Sequence, residues 1–373
     1  MPGNAELTQD KKWMKLALDQ ARRAIGRTSP NPMVGAVLVW KGKVIATGFH
    51  RGAGRPHAEI EVIRRAKSIP EGTVLYVNLE PCAHYGRTPP CVDQILCSPV
   101  RRVVIGTADP NPLVRGKSIR KLRRAGVRVT TGVLAEESRR LNEVFFKNMK
   151  ASLPFVAAKA AQSLDGRIAT RQGHSRWITG ARARRHARTL RDRYDAVMVG
   201  VGTVEADDPL LHGARDVPCK IVLDPSFRVS AGRRIFSHSP EKVFLVTEQN
   251  PLRVKKRLPP KVTVIHLSRR KDGSFSLTRV LRVLYRSGIC SVFVEGGGYT
   301  LGACFQQKIV DRVYFYYAPK VIGGMNAPGS VGARGYGSLR RVPQIKEITL
   351  NRIGQDILCE GTVHYPACKE SQR

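Results

Sequence analysis

Between residues 10 and 25 the apolar positions Trp13, Leu16, Ala17, Ala21, Ala24 and Ile25 recur at three- and four-residue steps, with Gly26 beyond. This predicts an amphipathic helix and its stop. The period then shortens to that of strands. Residues 34–40 and 43–49 are β-rich runs joined by Lys41-Gly42, a hairpin signal. Pro56 opens a helix over 57–67, because proline suits the first helical turn. The apolar strand 74–79 leads into Pro81-Cys82, and a further helix is expected near Cys91 after a Gly/Pro loop. Strand 101–107, helix 116–125 and strand 127–133 complete an alternating α/β layer pattern.

Residues 141–153 leave that pattern, and Pro154 precedes a new strand at 155–161. From there the chain alternates again: helix 180–193, strands 196–200, 219–224 and 243–247, helix 277–287, strand 291–295, helix 299–307 and strand 311–318. Residues 345–365 read as a terminal hairpin. The reading is α/β throughout, with one domain over 1–150 and a second over 151–373.

Composition narrows the class. Apolar residues make up 42% and charged residues 25% of 373, values of an ordinary globular chain rather than a disordered or fibrous one. Eight cysteines are too few for a disulfide scaffold, and Cys97, Cys219, Cys290 and Cys304 sit singly in apolar surroundings, as reduced core thiols do. The N-terminus lacks the basic and apolar regions of a secretory signal, and no run of 18 apolar residues occurs. A cytoplasmic, soluble protein with no membrane association is expected. The formal charge of +35 allows a nucleic-acid partner. The excess is spread over both halves, aromatics are only 6%, and no basic stripe interleaves with stacking rings. No nucleic-acid role is expected.

The candidate chemistry is specific. His57-Ala58-Glu59 lies at one helix start, and Pro81-Cys82 with Cys91 stands at another. The order H-x-E then P-C…C is the signature of zinc-dependent deaminases. One imidazole and two thiolates fill three tetrahedral positions on Zn2+, leaving the fourth for water, whose pKa falls towards 7 there. Glu59 can then face the open position and carry protons from that water to the substrate. A closed structural site would need a fourth ligand, and His84 is too close in sequence to Cys82 for the usual ligand spacing. One Zn2+ per chain is expected, with His57, Cys82 and Cys91 as ligands and Glu59 catalytic.

The stretch from Leu79 to Cys91 resembles the deaminase of riboflavin biosynthesis, as do Ser29-Pro30-Asn31-Pro32-Met33-Val34-Gly35, Gly48-Phe49-His50 and Ala108-Asp109-Pro110-Asn111-Pro112. The resemblance implies a cytidine-deaminase-like three-layer domain, with Asn31, His50, Arg87, Asp109 and Asn111 lining a pocket for a pyrimidine ribosyl phosphate. The second part is similar to the reductase half of the bifunctional riboflavin enzyme, through Lys159, Ser163–Arg167, Ser175–Thr179, Gly202-Thr203, Ala206-Asp207-Asp208-Pro209 and the strand–glycine–helix run from Ser291 to Gly302. Glycines let backbone N–H groups approach a phosphate, and the following helix presents its positive end.

That likeness implies a dihydrofolate-reductase-like α/β domain using NADPH. Ala161, Trp177, Thr203, Asp207 and Gly297, Gly298, Tyr299, Thr300, Leu301, Gly302 and Ala303 would contact the cofactor. Lys159, Ser175, Arg191, Leu211 and Glu295 would face the sugar phosphate. Two positions depart from the family pattern: Ala214 stands where an arginine is usual, with Arg215 one further on, and Pro225 replaces a serine after Asp224. The implied activity is hydrolytic deamination of a diaminopyrimidinone ribosyl phosphate, followed by NADPH-dependent reduction of its ribosyl chain to ribityl. A homo-oligomer is expected.

Overall fold

The computed structural model describes residues 4–366 except 84, 86–88, 113, 217 and 238–240. The chain divides into two compact units, Met1–Ser152 and Leu153–Arg373.

The first unit contains α1 (Asn4–Arg22), β1 (Gly35–Trp40), β2 (Lys43–Phe49), α2 (Ala58–Arg65), β3 (Val74–Leu79), α3 (Cys91–Leu96), β4 (Arg102–Thr107), α4 (Lys117–Arg124), β5 (Arg128–Thr131), α5 (Ala135–Leu141) and α6 (Glu143–Ala151). Its sheet runs β2-β1-β3-β4-β5. β1 is antiparallel to both neighbours, and β3, β4 and β5 are parallel. Lys41 and Gly42 both take positive φ, as a tight hairpin turn requires.

Alternation along the strands divides the core into two layers. Val37, Val39, Tyr76 and Val104 pack with Met14, Ala17 and Leu18 of α1. The intervening Ala36, Leu38, Leu75 and Val77 pack with Ala58 and Val62 of α2, Val92 and Ile95 of α3, and Leu122 of α4. This is the three-layer arrangement. Gly35 is required by it: a Cβ there would lie 2.0 Å from the Ala17 carbonyl oxygen of α1.

The second unit contains β6 (Phe155–Ser163), α7 (Ala181–Arg191), β7 (Ala196–Gly200), α8 (Val201–Asp207), β8 (Cys219–Leu223), α9 (Arg234–Ser237), β9 (Val243–Thr247), α10 (Pro251–Lys255), β10 (Val262–His266), α11 (Leu277–Arg286), β11 (Ser291–Val294), α12 (Gly298–Gln306), β12 (Arg312–Ala318), β13 (Gln344–Ile353) and β14 (Asp356–His364). The sheet order is β10-β9-β8-β7-β11-β6-β12-β14-β13. The seven strands from β10 to β12 are parallel, and the β13–β14 hairpin adds antiparallel to β12. Strands buried on both faces read as continuous apolar runs, as in Val292-Phe293-Val294. One face packs on Leu281 and Leu284 of α11 and Leu301, Cys304 and Phe305 of α12.

Residues 141–153 leave the strand–helix alternation because they hold the whole of α6, a second helix directly after α5, whose apolar Phe145 and Phe146 pack on the core of the first unit. Several expectations need correction. The first helix begins at Asn4, six residues before the apolar period becomes visible, because its first turns are polar. Short elements α8, α9, α10 and β10 were not predicted, being too brief for a period to show. Cys97 is exposed rather than a core thiol, while Cys290 and Cys304 are buried.

Candidate functional site

In parallel α/β sheets the carboxyl ends of the strands and the amino ends of the following helices converge, and both units use this edge. In the first, His57 is the N-cap of α2, Cys82 follows β3, and Cys91 opens α3. His57 Nδ1 lies 3.1 Å from Cys91 Sγ and 3.6 Å from Cys82 Sγ. The three ligand atoms fall within 4.8 Å of one another. A nitrogen and two sulfurs so grouped, with no fourth ligand in the cluster among the described residues, fit an open zinc site.

The electrostatics favour ionised sulfur at Cys82, whereas the hydrogen bond to Cys82 and burial push the Cys91 thiol up. Hydrogen bonding from Cys91, whose backbone N–H lies 3.2 Å from Cys82 Sγ, brings the Cys82 thiol down to about 4. The hydrogen bond to Cys82 raises His57 to about 8. Glu59 sits in the first turn of α2, outside the ligand cluster and buried. Its Oε2 has no hydrogen-bond partner among the described residues, and burial pushes its carboxyl up to about 7. A carboxyl poised at neutral pH, with a free oxygen beside a metal site, can accept and return a proton.

Around this centre the structure gathers Asn31, His50, Asp109 and Asn111. Asn31 Nδ2 is 3.1 Å from His50 Nε2, and the His50 ring stands edge-on to His57 with centroids 5.3 Å apart. His50 Nδ1 lies 3.1 Å from the Pro56 carbonyl, and burial lowers its pKa, so a neutral ring donates there and accepts from Asn31. Asp109 Oδ1 accepts from the Asn111 N–H at 2.7 Å, and burial, with Glu80 nearby, raises Asp109 to about 6. Arg87 and His84 lie outside the described residues.

Sequence reasoning missed the residues that hold these loops. Glu80 accepts from the N–H groups of Asp109 (3.2 Å) and Gly116 (2.9 Å) and from Ser118 Oγ (2.9 Å). Asn142 clamps both sides of Met33, accepting from its N–H at 2.7 Å and donating to its carbonyl at 2.9 Å. No spacing signal links positions 109 residues apart.

In the second unit two clefts share a floor. The first, of about 700 Å³, is lined by Gly297, Tyr299, Thr300 and Ala303. The second, of about 630 Å³, is lined by Trp177, Arg191 and Leu211. Lys159, Ala161, Ser175, Thr203, Asp207 and Glu295 line both. The residues of the glycine turn expected to contact cofactor thus lie in the first cleft alone, Arg191 and Leu211, expected at the substrate, in the second, and the others on the shared floor, while Trp177, expected at the cofactor, lines the second. Trp177 lines the second cleft, 61% exposed, with the Arg184 guanidinium 4.3 Å from its ring.

The glycine run divides by purpose. A Cβ on Gly297 would meet only Thr203 Oγ1, at 4.0 Å, and the Gly297 N–H donates to that same oxygen at 3.2 Å. This cradle opens into the first cleft and fits a dinucleotide phosphate. Gly298 and Gly302 are glycine for a different reason: Cβ atoms there would lie 2.3 Å and 2.2 Å from the carbonyl oxygens of Gly329 and Gly332. Leu301 is buried in the core. The side-chain positions of these three line neither cleft.

Arg191, on an arginine-rich helix where a solvated face is the default, is instead tucked inward. Its Nε and Nη2 donate to Glu295 at 2.5 and 3.0 Å, and its Nη1 donates to the His212 carbonyl at 2.8 Å. Lys159 Nζ is 3.5 Å from Glu295 Oε2. Burial alone would raise the Glu295 carboxyl; Arg191 and Lys159 overcome it and hold it at about 2.

The fold and site define a two-activity enzyme: a zinc-dependent cytidine-deaminase-like domain followed by an NADPH-dependent reductase with a dihydrofolate-reductase-like fold. Residues 7–107 match the cytidine and deoxycytidylate deaminase zinc-binding region, and residues 154–359 match the RibD C-terminal domain. The chain is 39% identical to riboflavin biosynthesis protein RibD of Aquifex aeolicus, covering 94% of this chain and 97% of that one. With the Escherichia coli protein of the same name it shares 36%, over 94% and 98%. Among solved structures, the diaminohydroxyphosphoribosylaminopyrimidine deaminase/5-amino-6-(5-phosphoribosylamino)uracil reductase of Thermotoga maritima superposes with a TM-score of 0.85 at 35% identity, covering 96% of this chain and 99% of that one. Acinetobacter baumannii RibD gives 0.84 at 33%, with the same coverage. The chain belongs to the RibD family of bifunctional riboflavin biosynthesis enzymes, with deaminase and reductase activities.

Proposed function

We propose that the chain deaminates 2,5-diamino-6-ribosylamino-4(3H)-pyrimidinone 5′-phosphate in a domain over residues 1–150. A domain over 151–373 then reduces the ribosyl chain, giving 5-amino-6-(ribitylamino)uracil 5′-phosphate. The observation that carries the first step is the His57, Cys82 and Cys91 cluster beside the buried Glu59 oxygen, which has no hydrogen-bond partner among the described residues. Zinc held by those three residues supplies Lewis acidity toward water. Glu59 takes one proton at Oε2 from the attacking water and gives it to the pyrimidine ring nitrogen; as the C–O bond forms and the C–N bond breaks, it carries the water's second proton to the departing amine, so that ammonia leaves. Asn31, His50, Asp109 and Asn111 orient the ring and its ribosyl phosphate.

In the second step NADPH supplies hydride to the ribosyl C1′. Thr203, Asp207, Gly297, Tyr299, Thr300 and Ala303 hold the cofactor with Ala161 and Trp177; Ser175, Leu211, Lys159 and Glu295 face the sugar. Lys159 and Glu295 line both clefts, and that shared position supports a role at the reacting carbon. Arg191 keeps the Glu295 carboxylate ionised and fixed.

The substrate is a small molecule, with no nucleic acid and no membrane, and the enzyme is cytoplasmic. No helix among the described residues is long and apolar enough to cross a membrane. A homo-oligomer is supported by the outer strand β13, which among the described residues leaves one edge unpaired and exposes Leu350. The test is one incubation with the diaminopyrimidinone phosphate and NADPH, following ammonia release and nicotinamide absorbance together. Both signals are expected from the full chain. Cys82→Ala is expected to lose zinc and ammonia release while still oxidising NADPH when given the deaminated substrate.

A further inference from the structure

By its own sequence α7 is a helix with a poor start. It carries five arginines and no acid, and Arg182, Arg184 and Arg185 crowd its amino-terminal half, where the helix dipole disfavours cations. Gly180, its N-cap, has no side chain to accept from the first N–H groups. Yet α7 walls the second cleft through Arg184, Ala187, Arg188 and Arg191, and the segment just before it, Ser175–Thr179, lines the same cleft. Gly180 is the joint between the two.

What the helix lacks comes from the far end of the chain. Asp356 opens β14 after the two-residue turn Gly354-Gln355, and its Oδ2 accepts from the Gly180 N–H at 2.8 Å. The fit is close. Gly354 takes a left-handed φ of 72°, and a Cβ there would lie 3.2 Å from Arg182 Cδ, while a Cβ on Gly180 would lie 3.3 Å from Asp356 Oδ2. Asp356 is fully buried, and its Oδ1 has no hydrogen-bond partner among the described residues. A hairpin turn needs no such group for its own sake, since burying a carboxylate with acceptor capacity unused costs stability.

The other end of α7 is held in the same way, by Arg191 donating to Glu295. Both carboxylates belong to the sheet: Glu295 directly follows β11, and Asp356 begins β14, which pairs with β12 and through it with β6, the strand of Lys159. We propose that Asp356 is a positioning residue for the reductase step: its bond to the Gly180 N–H sets the start of α7, and with it the wall that faces the sugar substrate. This rests on the reductase reading of the second cleft. Asp356 itself lines neither cleft, and α7 lines the second and not the first, so the effect falls on the sugar substrate. Trp177, on the cofactor's side of the reaction, has a tie of its own, Lys320 Nζ donating to its carbonyl at 2.8 Å.

The test is steady-state kinetics of the full chain, varying deaminated substrate and NADPH in turn, with unfolding midpoints alongside. Asp356→Ala is expected to raise the KM for deaminated substrate about 10-fold, within the range for misplaced binding groups. The KM for NADPH, and ammonia release from the diaminopyrimidinone phosphate, are expected to stay as in wild type. Asp356→Asn keeps an acceptor for the Gly180 N–H and is expected to lie between Asp356→Ala and wild type. Gly180→Ala presses a Cβ towards Asp356 Oδ2 and is expected to give the same split at smaller size; it decides the matter if Asp356→Ala does not fold. A merely stabilising role would lower the midpoint and the active fraction, hence kcat, without moving either KM. An unchanged substrate KM in the deciding variant, an NADPH KM that rises in step with it, or no rescue by Asp356→Asn overturns the proposal and leaves the reductase reading standing. A wild-type chain that oxidises no NADPH with deaminated substrate overturns that reading, and the proposal with it.

Discussion

Glu59 and Glu295 are both buried carboxyls, and their surroundings drive them in opposite directions. Around Glu59 burial dominates and the group is raised to about 7, a value suited to passing protons. Replacing it with glutamine keeps its size and removes its proton chemistry. Glu59→Gln is therefore expected to retain one zinc per chain, measured by metal analysis, while ammonia release falls by about 10²–10⁴; loss of the metal would show that Glu59 is a ligand. Around Glu295 two cations prevail and hold it at about 2, below its ordinary 4.5. A carboxyl depressed on folding stabilises the native state above its unfolded pKa and loses that contribution as pH falls through the folded one. The stability gap between wild type and Glu295→Gln in urea unfolding is thus expected to be widest above pH 4.5 and to narrow towards pH 2. A gap that stays constant with pH would mean Arg191 and Lys159 do not hold the carboxylate. Removing the guanidinium instead, in Arg191→Leu, leaves a buried charge short of its bidentate partner and is expected to cost about 3–5 kcal/mol.

At the scale of elements, the turn from β11 into α12 serves cofactor and packing with neighbouring glycines. Gly297 faces open space, and its φ of −65° suits any residue. Gly297→Val is expected to leave the unfolding midpoint near wild type and to weaken NADPH binding strongly in a fluorescence titration, since the side chain enters the phosphate cradle. Gly302→Ala should do the reverse of the first: its Cβ would need the space of the Gly332 carbonyl, and the midpoint should fall because helix and loop must separate. Equal stability of the two variants would show that the 329–333 loop does not pin α12.

For the whole molecule, Leu153–Arg373 has a nine-stranded sheet and a core of its own. A fragment of residues 153–373 is expected to fold and to oxidise NADPH with deaminated substrate in the presence of a zinc chelator. A folded fragment that binds no NADPH would mark the reductase half as inactive. The net charge of +35 belongs to the same scale. Binding to nucleic acid weakens with log K falling by about 0.9 per neutralised phosphate against log salt. A substrate with one phosphate should show a far shallower dependence. Tight RNA binding at physiological salt, with deamination of a base within it, would contradict a small-molecule substrate.

Local pattern determined much of this protein. His57, Glu59, Cys82 and Cys91 are legible because metal chemistry restricts residue types and helix starts restrict their spacing, and the long strands and helices are legible because burial imposes a period. Tertiary structure alone decided how those pieces are held and which arginines are available. Asn142 reaches Met33 and Arg191 reaches Glu295 across more than a hundred residues of chain, and nothing in the neighbourhood of either residue records its partner. The sequence of α7 shows arginine after arginine. Only packing sorts Arg191, turned inward onto a carboxylate, from Arg188, left on the cleft wall, because the direction of a long side chain is set by what lies across from it.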